Sequence, residues 1–88
     1  MNWTIEIKPT AEKQYLKLEK KIRKRVKTAL NDLENTENPL FHKDVKPLTG
    51  QLKGDYRLRV GKFRLLFTIA KDKKIIYVYA ILSRGNAY

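Results

Sequence analysis

Residues 54–67 read Gly54-Asp-Tyr-Arg-Leu-Arg-Val-Gly-Lys-Phe-Arg-Leu-Leu-Phe67, and this stretch decides the fold. Apolar and polar residues alternate with a period of two, and a glycine interrupts the alternation in the middle. Such a pattern predicts a tight β-hairpin. We expect Gly61-Lys62 to form its loop, because a type II′ turn needs glycine at the first central position. On one side this pairing places Val60 opposite Phe63, Leu58 opposite Leu65 and Tyr56 opposite Phe67.

The other side of the hairpin carries positive charge. Arg59 is predicted to lie directly opposite Arg64, with Arg57 beside them. Like charges that face each other destabilise a sheet, so a sequence selected for stability alone would avoid this pair. We therefore interpret the three arginines as a site for an anion. The alternative is a solvated face with the arginines extended into water.

The composition limits which partners, metal sites and cellular locations are expected for this protein. A chain of 88 residues is expected to form one domain, residues 1–88, with a small core. Its formal net charge of +11 points to a polyanionic partner, such as nucleic acid, an acidic protein or an anionic membrane surface. The chain has no cysteine and 1 histidine, which excludes thiolate and imidazole-rich metal sites, and we expect no metal and no cofactor. It has no secretory signal and no apolar run of membrane-spanning length, so we expect a cytoplasmic protein without a membrane partner.

The first half of the chain predicts a strand followed by helix. Residues 3–8 alternate and should form the strand, and Thr10 is expected to cap the helix that follows. Apolar residues then recur at helical spacing from Ala11 to Leu33. The pattern fits one long helix, or two helices folded back near residues 19–21, and it does not decide between them.

The second half predicts a loop and then strands. Residues 35–44 form the loop, from which Leu40 and Phe41 are expected to pack onto the core. Residues 75–82 are apolar on both faces, which predicts a central strand. The fold class is α+β: an N-terminal strand, a helical region and a three-stranded antiparallel meander. Together the strands make a four-stranded, mainly antiparallel sheet with helices on one face.

The last strand adds aromatic residues to the arginine side. A turn at residues 71–74 would pair Tyr79 with Leu66 and Ile81 with Arg64, and the tyrosines of this strand would then share that side. A surface that combines aromatic and cationic side chains suits single-stranded RNA, because bases stack on the aromatic rings while Lys and Arg bind the phosphates. A core role for these tyrosines is the alternative. The RNA-binding residues expected on this interpretation are Lys46, Lys53, Lys62 and Tyr79.

RNA cleavage by this surface would lack an ordinary proton carrier. Attack of a 2′-OH on the adjacent phosphate needs a base, an acid and cations that stabilise the phosphoryl charge. The sequence supplies cations but no Glu/His or His/His pair. Free Tyr titrates near 10 and Arg above 12, although a dense positive field would lower a Tyr or Lys pKa. Orientation alone can contribute about 7–11 kcal/mol, so such an enzyme is expected to depend on a scaffold that positions its RNA.

The order of these motifs resembles the RelE/ParE toxin superfamily. The resemblance lies in Leu-x-Gly from Leu48, then Tyr-Arg-x-Arg-x-Gly-x-x-Arg from Tyr56, and a final Ser83-Arg-Gly-Asn-Ala-Tyr88, and it extends over essentially the whole chain. It implies a type II toxin, an endoribonuclease that cuts mRNA in the ribosomal A site by 2′-OH attack, without a metal, and so inhibits translation. It also implies a helical hairpin broken near Lys20, and a RelB-like antitoxin that forms a hetero-oligomer and covers the arginine side with an acidic segment.

The resemblance also implies roles for single residues. Arg57 and Arg59 would hold the scissile region, and Arg64 would stabilise the pentacovalent phosphate. Arg84 would act on the leaving-group side, and Tyr88 would stack on an mRNA base or transfer a proton. Two other functions stay open: a ParE-like toxin that poisons DNA gyrase, and a basic RNA-binding module without catalysis.

Overall fold

The computed structural model describes residues 2–83 and contains two helices and five strands. Two short 3₁₀ turns, Pro39–Phe41 and Gly50–Leu52, lie in the connections on either side of the second strand. The longer elements, in chain order, are β1 Thr4–Ile7, α1 Pro9–Leu16, α2 Lys20–Asn35, β2 Val45–Pro47, β3 Tyr56–Val60, β4 Phe63–Ala70 and β5 Ile75–Ser83.

The strands form one mixed sheet in the order β1-β5-β4-β3-β2. β1 runs parallel to β5, and the remaining neighbours are antiparallel. The α+β class, the N-terminal strand and the antiparallel meander are confirmed. The expected count of four strands is wrong, because Val45–Pro47 adds a fifth strand beside β3. A three-residue edge strand that contains a proline carries little sequence signal.

The helical region is a hairpin of two helices, as the resemblance implied. α1 ends in two 3₁₀-type bonds, in which the Lys17 and Leu18 N–H groups donate to the carbonyl oxygens three residues earlier, at 3.2 and 3.1 Å. The guanidinium of Arg23 on α2 donates to the Leu16 carbonyl at 3.3 Å, which ties the second helix to the end of the first. The break needs no glycine or proline, because hydrogen bonds satisfy carbonyls that the helix end leaves open.

The start of α1 differs from the prediction. Pro9 is the first helical residue and Lys8 occupies the N-cap position, so the expected cap at Thr10 is wrong. The fixed φ of proline suits the first turn of a helix, and its missing N–H is not needed there. Farther along α1, the Gln14 side-chain carbonyl accepts from the Ile81 N–H at 2.6 Å, so α1 bonds to β5 beyond the point where β1 ends.

The core lies between the helices and one face of the sheet. Its fully buried side chains come from both helices and from β3, β4 and β5, and the half-buried Ile5 and Ile7 of β1 pack against it. Tyr56 and Phe67 pair across β3 and β4 with ring centroids 5.9 Å apart. Leu40 packs onto this core as expected, but Phe41 is 85% exposed, so its predicted burial is wrong. The fully buried larger side chains are Phe67, Leu33, Leu58, Leu65, Ile76, Val26, Val78 and Pro39.

The β3–β4 hairpin matches its predicted register at every pair. Gly61 has φ of 58° and Lys62 does not have a positive φ, which fits glycine at the first central position of a type II′ turn. A Cβ at Gly61 would lie 3.0 Å from a guanidinium nitrogen of Arg25 on α2. The turn is therefore packed against the helical layer.

The β4–β5 hairpin contains a bulge that the sequence did not reveal. The predicted register holds from Ala70↔Ile75 to Phe67↔Val78, and then shifts by one residue. Leu66 pairs with Ala80, so its predicted pairing with Tyr79 is wrong. In the same way Arg64 pairs with Leu82 instead of Ile81. Tyr79 is the extra residue of the bulge.

Neither helix among residues 2–83 is long and apolar enough to cross a lipid bilayer.

Candidate functional site

The three arginines of the hairpin lie on the sheet face that points away from the helices. We call this surface the arginine face. Arg59 pairs directly with Arg64, as predicted, and Arg57 pairs with Leu66 two residues along the same strands. On its other side Arg57 pairs with Lys46 of β2, so a fourth cation joins the row. The alternation of β3 and β4 thus concentrates positive charge on one surface.

The same three arginines line one small groove. It has a volume of about 90 Å³, and Gly61, Lys62 and Phe63 complete its wall. We call it the arginine groove. Its size suits a phosphate group, and Arg side chains bind phosphate oxygens through parallel N–H donors. The groove therefore combines the size and the charge that an RNA phosphate requires.

A carboxylate next to the groove offsets part of the positive charge. The Arg59 guanidinium lies 3.8 Å from Asp44 Oδ1, and the Arg59 backbone N–H donates to the Asp44 carbonyl at 3.0 Å. The Arg59 side chain is 63% exposed, so this ion pair is worth no more than about 1 kcal/mol. Asp44 reduces the repulsion between the facing arginines and leaves the outer part of Arg59 accessible.

Asp44 is itself positioned by the single histidine. The Asp44 backbone N–H donates to His42 Nδ1 at 3.1 Å. The Val45 N–H donates to the His42 carbonyl at 3.0 Å. His42 therefore shapes the loop that leads into β2, in agreement with its expected place in the loop.

A second carboxylate holds the bulge tyrosine. The Tyr79 hydroxyl donates to Asp55 Oδ2 at 2.8 Å, which joins the bulge in β5 to the residue before β3. Burial, the hydrogen bond to Asp55 and the negative charge of Asp55 raise the pKa of Tyr79 to about 12. The expectation that a positive field would lower a tyrosine pKa is wrong for this residue. Tyr79 stays protonated at neutral pH and cannot serve as a general base there.

The neighbouring tyrosine is covered by a lysine. Tyr77 pairs with Thr68 of β4 and therefore lies on the arginine face, as predicted. The Lys8 Nζ lies 4.8 Å from the centroid of its ring, within the range of a cation–π contact. One side of the Tyr77 ring is thus occupied by a side chain of this protein.

The structure brings together most of the predicted residues that it describes. Lys62 lines the arginine groove and Lys46 lies beside Arg57, whereas exposed Lys53 lies in the loop before β3. Arg84 and Tyr88 lie outside the described residues. Sequence reasoning missed the roles of Asp44 and Asp55. Asp55 precedes Arg57 by two positions, so strand alternation could have placed it on the arginine face.

Comparison with known proteins extends these observations. Residues 5–88 match the family model described as the ParE toxin of type II toxin-antitoxin systems. A Methanocaldococcus jannaschii protein named as a RelE1 toxin is 31% identical over 88 residues, which cover 100% of this chain and 97% of that protein.

Solved structures agree with this match. The archaeal RelE–RelB complex of Pyrococcus horikoshii contains a chain that is 27% identical, with a TM-score of 0.81 and coverage of 99% of this chain and 100% of that chain. The toxin–antitoxin complex RelBE2 of Mycobacterium tuberculosis gives 26% identity, a TM-score of 0.78 and coverage of 96% and 100%. The protein therefore belongs to the RelE/ParE superfamily of toxins of toxin–antitoxin systems.

Proposed function

We propose that this toxin is a ribosome-dependent endoribonuclease that cleaves mRNA in the A site and thereby stops translation. The observation that carries the proposal is the arginine groove, in which Arg57, Arg59 and Arg64 converge on a space of phosphate size. Three cations around one phosphate favour a reaction in which negative charge builds on the phosphoryl oxygens.

The proposed reaction divides between the groove and the end of the chain. The 2′-OH loses its proton and attacks the adjacent phosphate, the bond to the 5′-oxygen breaks, and that oxygen takes up a proton, which leaves a 2′,3′-cyclic phosphate and a free 5′-OH. Arg57 and Arg59 hold the scissile region, and Arg64 stabilises the pentacovalent phosphate. Arg84 and Tyr88 are assigned to the leaving-group side and to base stacking or proton transfer, respectively. No metal ion or cofactor takes part in this proposal.

Tyr79 does not belong to the proton-transfer step of this proposal. Its hydroxyl proton is engaged by Asp55, and its raised pKa keeps it protonated. The described residues that line the groove include no histidine or carboxylate that could act as a general base. This favours dependence on the ribosome, which would orient the mRNA. The toxin would act in the cytoplasm, where it meets ribosomes and mRNA.

The partner that silences the toxin is proposed to be a RelB-like antitoxin. Two similar chains occur in complexes named for RelE with RelB and for RelBE2. An acidic antitoxin segment over the arginine face would neutralise part of the +11 charge and exclude RNA from the groove. Charge reversal at Arg59 and Arg64 should then weaken antitoxin binding and flatten its salt dependence, and unchanged binding would place the antitoxin elsewhere.

Mapping of 5′ ends on a translated reporter mRNA tests the catalytic function. Expression from a tightly controlled promoter should produce cuts in phase with the codons, and Arg64→Ala should abolish them. Lys73→Ala, an exposed lysine in the β4–β5 turn, is the matched control and should cut normally. Intact mRNA in cells arrested by the unaltered toxin would contradict the proposal. Purified toxin is expected to cut ribosome-free RNA poorly.

A second candidate function is poisoning of DNA gyrase. The observation that favours it is the family model, which carries the ParE description. Supercoiling by purified gyrase should then stop when the toxin is added, with reporter mRNA left intact. Normal supercoiling together with codon-phased cuts would exclude this candidate, and RNA binding without cuts or gyrase inhibition would leave a non-catalytic module.

A further inference from the structure

A second cavity opens beside Arg57, on the side toward β2. We call it the loop pocket. It has a volume of about 660 Å³ and is lined by Pro47, Leu48, Thr49, Gln51, Leu52 and Arg57. It therefore combines aliphatic walls with one amide, one hydroxyl and one guanidinium group. That mixture is typical of sites that bind a flat heterocycle, in which apolar surfaces contact its faces and a few polar groups read its edge.

The loop that forms this pocket is folded back on itself. The Leu48 N–H donates to the Asp55 carbonyl at 2.9 Å, and the Asp55 N–H donates to the Leu52 carbonyl at 3.1 Å. Between them, the Lys53 N–H donates to the Gly50 carbonyl at 3.1 Å, which closes the short 3₁₀ turn. Leu48 is only 9% exposed and lies outside the main core cluster. The pocket is thus held in shape by backbone bonds before any ligand binds.

Two polar side chains of the pocket are available to a ligand. Thr49 occupies the N-cap position of the 3₁₀ turn, but its hydroxyl makes no capping bond. The exposed Gln51 amide makes no hydrogen bond to another described residue. An amide offers a donor and an acceptor side by side, which is how Gln recognises the edge of a base.

Arg57 connects the loop pocket to the arginine groove, because its side chain lines both. An RNA phosphate in the groove would therefore place the attached nucleotide next to the pocket. The planar guanidinium of Arg57 can bind that phosphate or stack on the neighbouring base. The two adjoining cavities have room for one nucleotide, with its phosphate on the arginines and its base against the loop.

We infer that the loop pocket binds an unpaired RNA base next to the phosphate in the arginine groove, and that Gln51 and Thr49 determine which base is preferred. This inference rests on the proposed function in one respect, namely that RNA is the ligand of the arginine face. It adds a site of base selection that lies apart from the residues assigned to the cleavage step.

A binding experiment tests the pocket without any cleavage. The toxin, labelled with ¹⁵N and with ¹³C-methyl leucine, is titrated at low salt with 2′-O-methyl pentanucleotides that cannot be cut. Signals of the Gln51 side-chain amide and the Leu52 methyl groups should shift on binding. An abasic nucleotide at one position of the pentamer, or Gln51→Ala in the toxin, should weaken binding about tenfold, the loss expected for one base contact. Asn31→Ala, an exposed amide on α2, should bind like the unaltered toxin.

The reporter assay then separates the pocket from the catalytic function. Gln51→Ala and Thr49→Val should still cut mRNA but with an altered preference for the bases at the cut. Equal affinity for intact and abasic pentamers, or unchanged affinity and cut preference in Gln51→Ala, would overturn the inference while the nuclease function stood. A toxin that cuts no mRNA but distinguishes the pentamers would contradict the nuclease function and support the pocket.

Discussion

Arg59 lies directly opposite Arg64 across β3 and β4, with the Asp44 carboxylate 3.8 Å from the Arg59 guanidinium. Two facing cations oppose sheet formation, and a nearby anion offsets part of that cost. Because Arg59 is largely exposed, water screens the ion pair and leaves most of the positive potential on the surface. The carboxylate thus stabilises the free protein at the expense of anion affinity.

Replacement of Asp44 by Asn should strengthen anion binding. The substitution keeps the size of the side chain and removes one negative charge beside the groove. We expect a few-fold increase in affinity for a short single-stranded RNA at low salt, measured by fluorescence anisotropy, and a smaller increase as NaCl is added. Asp72→Asn in the β4–β5 turn makes the same change in net charge away from the groove. An equal increase in both variants would mean that only the total charge matters.

Replacement of Asp55 by Asn should lower the pKa of Tyr79. The substitution removes the negative charge and weakens the acceptor, so the pKa should fall from about 12 toward 10. It should remain above 10, because burial is the largest cause of the shift. A pH titration of tyrosine ¹³Cζ signals measures the change, with Tyr79→Phe to assign the signal. An unchanged pKa in Asp55→Asn would mean that the hydrogen bond does not form in solution.

The same shift makes stability depend on alkaline pH. The folded-state pKa of Tyr79 exceeds the unfolded value of 10, so its contribution to stability is complete below pH 10 and is lost as the pH rises through about 12. Between pH 9 and 11.5, the free energy of unfolding in urea should therefore fall more for the unaltered toxin than for Tyr79→Phe. Equal decreases would mean that Tyr79 does not cause the alkaline loss.

Two phenylalanines at opposite extremes of burial give a matched test of the core. Phe67 is fully buried between the sheet and the helices, so Phe67→Ala should lower the free energy of unfolding by about 3–5 kcal/mol. Phe41 is 85% exposed, so Phe41→Ala should change it by less than about 0.5 kcal/mol. Urea denaturation followed by the fluorescence of Trp3 measures both. A large loss for Phe41→Ala would mean that this ring is covered in solution.

One lysine of the β4–β5 turn has a backbone conformation that suits glycine. Lys74 has φ of 54°, and it is the only non-glycine residue among residues 2–83 with a positive φ. Lys74→Gly should raise the free energy of unfolding by about 0.5–1 kcal/mol, because it removes the steric cost of the left-handed conformation. Lys73→Gly, one residue earlier, should have no such benefit. Equal effects of the two variants would assign the change to the lost charge.

Much of the fold could be predicted because local patterns and tertiary packing agree. The alternation around Gly61 predicted each pair of the β3–β4 hairpin, and with it the facing arginines. The end of α1 could not be predicted from the apolar pattern, because no residue between Leu16 and Lys20 prevents a helix and one of the bonds that end it comes from Arg23 of the neighbouring helix. Val45–Pro47 was missed for a related reason, since its pairing with β3 outweighs a weak strand propensity.

The arginines of the candidate site could be predicted from the sequence, whereas the roles of its aspartates could not. Arg57, Arg59 and Arg64 follow from strand alternation alone. The bond between Asp55 and Tyr79 joins residues 24 positions apart and depends on the bulge, for which the sequence around Tyr79 gives no signal. The loop pocket likewise depends on how residues 47–52 fold against Arg57, which no periodicity specifies.

The bulge in β5 changes which residues of the longest strand face the core. On one side of Tyr79 the even-numbered residues Ile76 and Val78 point into the core, and on the other side the odd-numbered Ile81 does. If β5 kept all of its residues but alternated regularly beyond Val78, Ile81 would face the arginines and Leu82 would enter the core. A design that reuses the β5 sequence must therefore keep the bulge conformation at Tyr79, because the same residues in a regular strand would turn the wrong side chains toward the core. Straightening the strand without removing a residue would exchange the core-facing and arginine-facing side chains beyond Tyr79.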